Sequence, residues 1–275
     1  LALKAIYKDQ QGPNIYKTKN KIKLIYIDPP FATKQDFMKD KEKAYQDKII
    51  GAQFIEFLRK RLILLREVLA DDGSIYLHLD WKKIHYVKAI MDEVFGEHNF
   101  VNQITWHYEK WTSPSPHSYQ KNHDLILFYS KSEQNIFNPQ REITKNLEEK
   151  YKRGYLKYKV VYPDTSGKPL SDVWKIPFIN PVANERTNYP TQKPEKLIER
   201  IIQSSSNEGD IVIDCFVGSG TTVSVAEKLK RRWIGVDTGK LSIYTSQSRL
   251  LSLNPTVGSA KINDIKEHDR IVDFE

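Results

Sequence analysis

Two rhythms of apolar residues run along this chain. "IKLIYI", residues 22–27, is an unbroken apolar and β-branched run of strand length. It predicts a strand buried on both faces. "FIEFLRKRLILLREVLADDG" instead places Phe54, Phe57, Leu58, Leu62, Leu65, Val68 and Leu69 at helical spacing, with "DDG" as the stop. "SIYLHLD", residues 74–80, reads as a second strand ending in an acid, and "KKIHYVKAIMDEVFG" as a second helix. "NQITWHY" and "HDLILFYS" read as two more strands around a polar loop, residues 109–122, rich in Ser and Pro. Residues 132–184 have weak periodicity and many Lys, Arg and Tyr, while "EGDIVIDCFVGSGTTVSVAEKLKRRWIGVD", residues 208–237, reads as strand, turn, helix and strand. "GKLSIYTSQSRLLSL" is a further helix, and no internal repeat is present. Alternating strands and helices predict a mostly parallel α/β sheet.

Two strand ends carry more than a turn requires. "IKLIYI" runs into Asp28-Pro29-Pro30-Phe31. Proline has no N–H for a ladder, so it accounts for the termination but not for the acid or the ring. At the second site, strand 211–213 runs into Asp214, then Phe216, Gly218-Ser219-Gly220 and a helix opening at Thr221 or Thr222. Glycines let the backbone turn sharply and come close to a ligand. Asp237 ends the next strand, 23 residues after Asp214, where an acid can accept from ribose hydroxyls. A Walker loop needs a Gly-Lys-Ser/Thr that is missing here, and Val223 stands where a dinucleotide fingerprint wants Gly or Ala. A ligand with a sugar and no phosphate, such as S-adenosylmethionine, fits better than a nucleotide. An ordinary structural turn is the plainer alternative.

Charge narrows the partner. The 275 residues carry 43 Lys and Arg against 35 Asp and Glu, a formal net charge of +8. A balance of that sign favours an anionic partner, nucleic acid first. One Cys and two Met exclude a disulfide framework and argue for a reducing, cytoplasmic setting. No apolar run is long enough to span a membrane, "LALKAIYKDQ" is too short and polar for a signal peptide, and the seven His show no metal-ligand spacing. Leu1 in place of Met reads as the start of a fragment.

"DPPF" ahead of "DCFVGSGTT" in one basic α/β chain resembles the S-adenosylmethionine-dependent amino-methyltransferases of DNA. With the catalytic motif first, the order resembles their circularly permuted β group, including the modification subunits of type III restriction–modification systems. "KLIYIDPPF", "REVLADDGSIYLHLD", "HDLILFYSK", "VWKIPFIN", "YPTQKPEKLIERII" and "GDIVIDCFVGSGTT" carry the likeness over nearly the whole chain. It implies a Rossmann-like class I methyltransferase fold, permuted. Residues 1–131 would be the catalytic half, 132–184 an inserted target-recognition region, and 185–275 the cofactor-binding half. It implies that Asp28, Pro29, Pro30 and Phe31 are catalytic. The cofactor residues it implies are Asp214, Phe216, Gly218, Ser219, Gly220, Thr221 and Asp237, with Lys193 of "TQKP" near the methionine end. Duplex DNA is the expected partner, with a homodimer and a restriction subunit as further candidates. The usual Gly-Asp/Asn-Asn element would lie upstream of Leu1, so the adenine pocket is expected to be incomplete in this fragment.

The chemistry fits the residue types. An exocyclic amine is a poor nucleophile because its lone pair is delocalised into the ring. Two acceptors, the Asp28 carboxylate and the Pro29 carbonyl, favour the pyramidal nitrogen needed for in-line attack. Phe31 offers a ring for an extruded base, worth roughly 1–3 kcal/mol of stacking. "REITKNLEEKYKRGYLKYK", with Lys152 and Arg153, suits phosphates and bases, and Trp111 sits in the loop expected to close over the base. Each has a plainer reading: a solvated helix face for the cations, a helix-start lysine for Lys193, an N-cap for Asp80. Cys215 reads as a packing residue and not a nucleophile. Adenine-N6 transfer is the expected activity. The competitors are cytosine-N4 transfer, where Ser more often replaces the acid at 28, methylation of RNA or of a glutamine amide, and a non-catalytic DNA-binding subunit.

Overall fold

The computed structural model describes residues 1–30, 36–39, 42–46, 52–109, 116–142 and 167–253. Helix α1 (Ala2–Gln11) precedes β1 (Ile22–Ile27), and a small hairpin of β2 (Asp36–Lys39) and β3 (Glu42–Gln46) follows. Then come α2 (Ala52–Val68), β4 (Ser74–Leu79), α3 (Ile84–Phe95), β5 (Phe100–His107) and β6 (His123–Ser130). Two short strands, β7 (Arg141–Glu142) and β8 (Lys168–Pro169), pair with each other, and β9 (Val173–Lys175) follows. The chain continues through α4 (Glu195–Ser205), β10 (Ile211–Asp214), α5 (Thr221–Lys228), β11 (Arg232–Gly235) and α6 (Lys240–Leu253).

Seven strands form one sheet in the order β11-β10-β1-β4-β6-β5-β9. β11, β10, β1 and β4 run parallel, β6 is antiparallel to both its neighbours, and β9 returns parallel to β5. The mostly parallel α/β expectation holds, and the architecture is Rossmann-like.

The unbroken apolar run at 22–27 has its cause in the two layers. Ile22, Ile25 and Ile27 point into a core shared with α2 and α3. Leu24 and Tyr26 point into a second core shared with Leu197, Ile198, Ile201 and Ile202 of α4 and Val225 and Ala226 of α5. A parallel strand covered on both faces has no polar face to alternate with. Tyr76 in β4 binds the Ser205 hydroxyl of α4 at 2.8 Å, which gives its buried phenol a partner.

Sequence periodicity overlooked α1, which places Leu3 and Ile6 in the first core, and the β2–β3 hairpin. Residues 132–184 are not wholly outside the sheet. Val173–Lys175 forms its edge, and Asn138 donates to the Gln203 and Ser206 carbonyls at the end of α4. Only pairing with β5 gives so short a segment as β9 its strand identity.

Ile25 is fully buried between β10 and β4. Ile25→Ala should cost about 2–5 kcal/mol, read as a lower urea midpoint, because the void lies where two flanking strands cannot close in. A loss below ~1 kcal/mol would show that the layer can collapse around it.

Candidate active site

β1 and β10 are neighbours, yet the chain leaves them in opposite directions: after β1 the sheet grows towards β4, and after β10 towards β11. Their carboxyl ends form a topological switch point, where the connections part and a crevice opens. Asp28 follows β1, Asp214 ends β10, Asp80 follows β4 and Asp237 follows β11, all at this edge.

The turn after β10 is built by its own side chains. Asp214 is 2% exposed. It accepts from the Phe216 amide at 2.9 Å and from the Thr222 hydroxyl at 2.6 Å. Burial pushes its carboxyl up to about 7; the Thr222 and Phe216 hydrogen bonds oppose this, and the charges of Asp28 and Asp237 add to it. Gly218 (φ 50°) and Gly220 (φ 76°) are left-handed. A Cβ on Gly220 would stand 2.9 Å from the Ser246 Cα in α6, so the turn can pack there only without a side chain. Asp237 grips the same turn: one carboxylate oxygen accepts from the Gly218 amide at 2.9 Å and the other from the Gly239 amide at 2.8 Å. Each oxygen keeps a lone pair for a further donor.

Facing this turn across the switch point, Lys193 donates to Asp28 Oδ2. The two side chains are 12% and 17% exposed. Asp28 Oδ1 is buried with no hydrogen-bond partner among the described residues. The Lys193 backbone is fixed to the turn, because Thr221 donates its hydroxyl to the Lys193 carbonyl at 3.2 Å. Ser219 and Thr221 share a hydroxyl contact of 3.0 Å. Gln192 is spent on its own loop, accepting from Thr187 and donating to the Glu185 carbonyl. Pro29 is buried and Pro30 half-buried beside Asp28.

Sequence reasoning missed several groups at this edge. Arg249 of α6, 8% exposed, donates to the Thr221 hydroxyl at 3.0 Å, to the Ser219 carbonyl at 3.4 Å and to Glu195 at 2.6 Å. Lys228 takes the other Glu195 oxygen at 2.6 Å. Burial pushes Glu195 up, but these two cations outweigh it and hold the acid below its ordinary value. Under β1 and β4, Tyr26 meets His78 at 2.9 Å, and His78 lies 3.5 Å from Asp124, which also accepts from Tyr108 at 3.2 Å. Burial and then the charges of Asp28, Asp214 and Asp124 push the Tyr26 hydroxyl upward, as crowding of these carboxylates requires. The only signal for the Glu195–Arg249 tie lay in "KPEK", where an acid opens a helix.

One expectation takes a different form, and the reading of Cys215 holds. Asp80 does not cap α3; it accepts from the Lys82 amide at 3.0 Å and holds the turn before that helix. Cys215 is half-buried against the first core, and burial pushes its thiol upward, as suits a packing residue. Phe31, Trp111, Lys152 and Arg153 lie outside the described residues. Among the described residues no group of His, Cys, Asp and Glu could hold a metal, and no helix is long and apolar enough to cross a membrane.

An open, mostly parallel sheet with a glycine turn and a paired carboxylate at its switch point is an α/β protein of Rossmann-like class. More narrowly, the chain belongs to the N6/N4 DNA methylase family, whose match spans residues 22–248. It is 30% identical to the Type II methyltransferase M.EcaI of Enterobacter cloacae, over 89% of this chain and 67% of that protein. Its fold is similar to that of the M1.HpyAVI–SAM complex (TM-score 0.55, 23% identity, 90% of this chain and 95% of that one). The PvuII cytosine-N4-specific DNA methyltransferase is similar too (TM-score 0.58, 20% identity, 86% and 81%). The named relative is a Type II enzyme, so the likeness to type III modification subunits narrows to a shared DNA methylase family.

Asp214 generates a pH prediction. Its folded value is raised, so its contribution to stability is full at low pH and is lost as pH rises from about 4 through about 7. Asp214→Asn keeps an acceptor for the Phe216 amide and should flatten that decline. Melting temperatures of parent and variant across this window are the measurement; parallel curves would sink the idea.

Proposed function

We propose that this protein transfers a methyl group from S-adenosylmethionine to the exocyclic N6 of adenine in duplex DNA, with the base flipped out of the helix. The observation that carries the reading is Asp28 Oδ1, a buried carboxylate oxygen without a partner, standing at the switch point beside Lys193. A buried anionic acceptor left open is costly unless a donor arrives. An amine N–H is such a donor. Membership of the DNA methylase family supports the substrate class.

The residues present fit the cofactor. Gly218 and Gly220 leave the turn without side chains, and its backbone is held from behind by Asp237, Ser242 and Ser246. Asp237 retains lone pairs for ribose hydroxyls, and Lys193 offers an ammonium to a carboxylate. When bound, S-adenosylmethionine supplies an electrophilic methyl on a sulfonium. Asp28 and the Pro29 carbonyl accept from the two amine hydrogens, turning the nitrogen lone pair towards that methyl. Asp28 then stabilises the charge that develops on nitrogen, and so acts on the transition state more than on base binding. It need not begin as a strong base, since the amine becomes acidic only as the methyl arrives. Phe31 is the proposed stacking ring and Trp111 part of the closing loop.

An acid at 28, in place of the Ser more often found in cytosine-N4 enzymes, supports adenine over cytosine. β1 preceding β10 supports the permuted, β-group reading. Residues 132–184 remain the proposed target-recognition region, with Lys152 and Arg153 on phosphate.

Three outcomes test this. Expression of the full-length gene followed by base-resolved mapping of methylated DNA should find N6-methyladenine; N4-methylcytosine instead would reassign the substrate. In single turnover with saturating cofactor, Asp28→Asn should slow transfer by at least about a hundredfold, as for other preorganised electrostatic groups. Transfer at the parent rate would reduce Asp28 to a strand-end residue. Cys215→Ser should keep most of the activity, because an amine attacks without a protein adduct; a stable but inactive Cys215→Ser protein would contradict the mechanism.

A further inference from the structure

The cations around the glycine turn meet different acids. Arg249 holds Glu195, the Thr221 hydroxyl and the Ser219 carbonyl, and Lys228 holds the second Glu195 oxygen. Both are tied down by the acid that opens α4. Lys193 differs. Its backbone is fixed through the Thr221 hydroxyl, but its ammonium reaches across the crevice to Asp28 Oδ2 on a flexible four-carbon stem. Burial raises the Asp124 carboxyl, but His78 and then the nearby charge of Lys193 hold it below its ordinary value, so this acid also feels the ammonium.

This arrangement places one cation where two anions need it. Lys193 on Oδ2 leaves Oδ1 open, but an ammonium there offsets the negative charge that Asp28 can offer an amine. A ligand carboxylate bound by the turn needs a cation, and Arg249 and Lys228 are already paired.

We propose that Lys193 is shared between Asp28 and the carboxylate of the methyl donor: Asp28 competes with the cofactor for the ammonium, and cofactor binding draws that ammonium off Oδ2, leaving the full Asp28 charge for the target amine. The inference rests on the methyltransferase reading above. It makes the two binding events mutually supportive, because whatever draws Lys193 from Asp28 lowers the cost of seating the amine, and linkage makes the effect reciprocal.

Calorimetric binding to the full-length protein, without DNA, tests it. S-adenosylhomocysteine carries the carboxylate and no transferable methyl; 5′-methylthioadenosine shares the adenosine and sulfur but lacks the carboxylate. Asp28→Asn keeps the size of the side chain and removes the competing charge. It should tighten S-adenosylhomocysteine by about five- to thirtyfold, the range of one modest interaction, and leave 5′-methylthioadenosine unchanged. Lys193→Met should weaken S-adenosylhomocysteine alone, and adding Asp28→Asn to it should produce no further tightening. Should Lys193→Met fail to fold, the comparison of two ligands on Asp28→Asn decides by itself. Unchanged or weakened S-adenosylhomocysteine binding in Asp28→Asn, or an equal shift for both ligands, overturns the inference while the methyltransferase reading stands. A parent protein that binds neither ligand overturns both.

Discussion

The site depends on burying β1 and β10 on both faces while the chain departs from them in opposite directions. Burial on both sides holds the two strands side by side, with Ile25 opposite Ile213 and α2, α3, α4 and α5 closing the layers. The divergence opens a crevice at their carboxyl ends. Polar groups that could not exist inside either layer gather there: Asp28 on one strand, Asp214 on the other, with Asp237 one strand further out. Helices on both sides make the edge deep enough to bury a carboxylate, and that burial pushes the Asp214 carboxyl upward.

Such a concentration of acids must be held by donors. The turn supplies backbone amides and the Thr222 hydroxyl to Asp214, and Gly218 and Gly239 amides to Asp237. Asp28 is treated differently: its partner is a long lysine side chain, and one of its oxygens has no partner among the described residues. The acids that shape the turn are therefore satisfied within the fold, while the acid proposed for chemistry is left open on one side. Glu195 extends the same logic outward, binding Arg249 and Lys228 so that α4, α5 and α6 hold the turn as a unit.

Much of this was legible in the order of residues. Strands at 22–27, 74–79, 123–130 and 211–214 announced themselves because apolar runs of that length have few alternatives in a doubly covered sheet. The glycine turn was equally plain, since left-handed backbone at 218 and 220 leaves little choice of residue. β9 and α1 were not, because each owes its identity to what it packs against. A three-residue strand such as Val173–Lys175 has no period of its own; only the exposed edge of β5 makes it a strand.

Alone, the sequence determined which chemical groups stand at strand ends, that the chain forms an α/β sheet, and that "DPPF" precedes the glycine turn. These are local matters of period, backbone freedom and residue type. Only the tertiary structure decided how the groups are paired. That Lys193 reaches Asp28 across 165 residues of chain, that Arg249 supports the turn through Thr221 and Glu195, and that Asp237 spends its oxygens on Gly218 and Gly239 follow from sheet order and helix packing. Hydrogen bonds and ion pairs act over a few ångströms of space, and separation along the chain does not say which residues come that close.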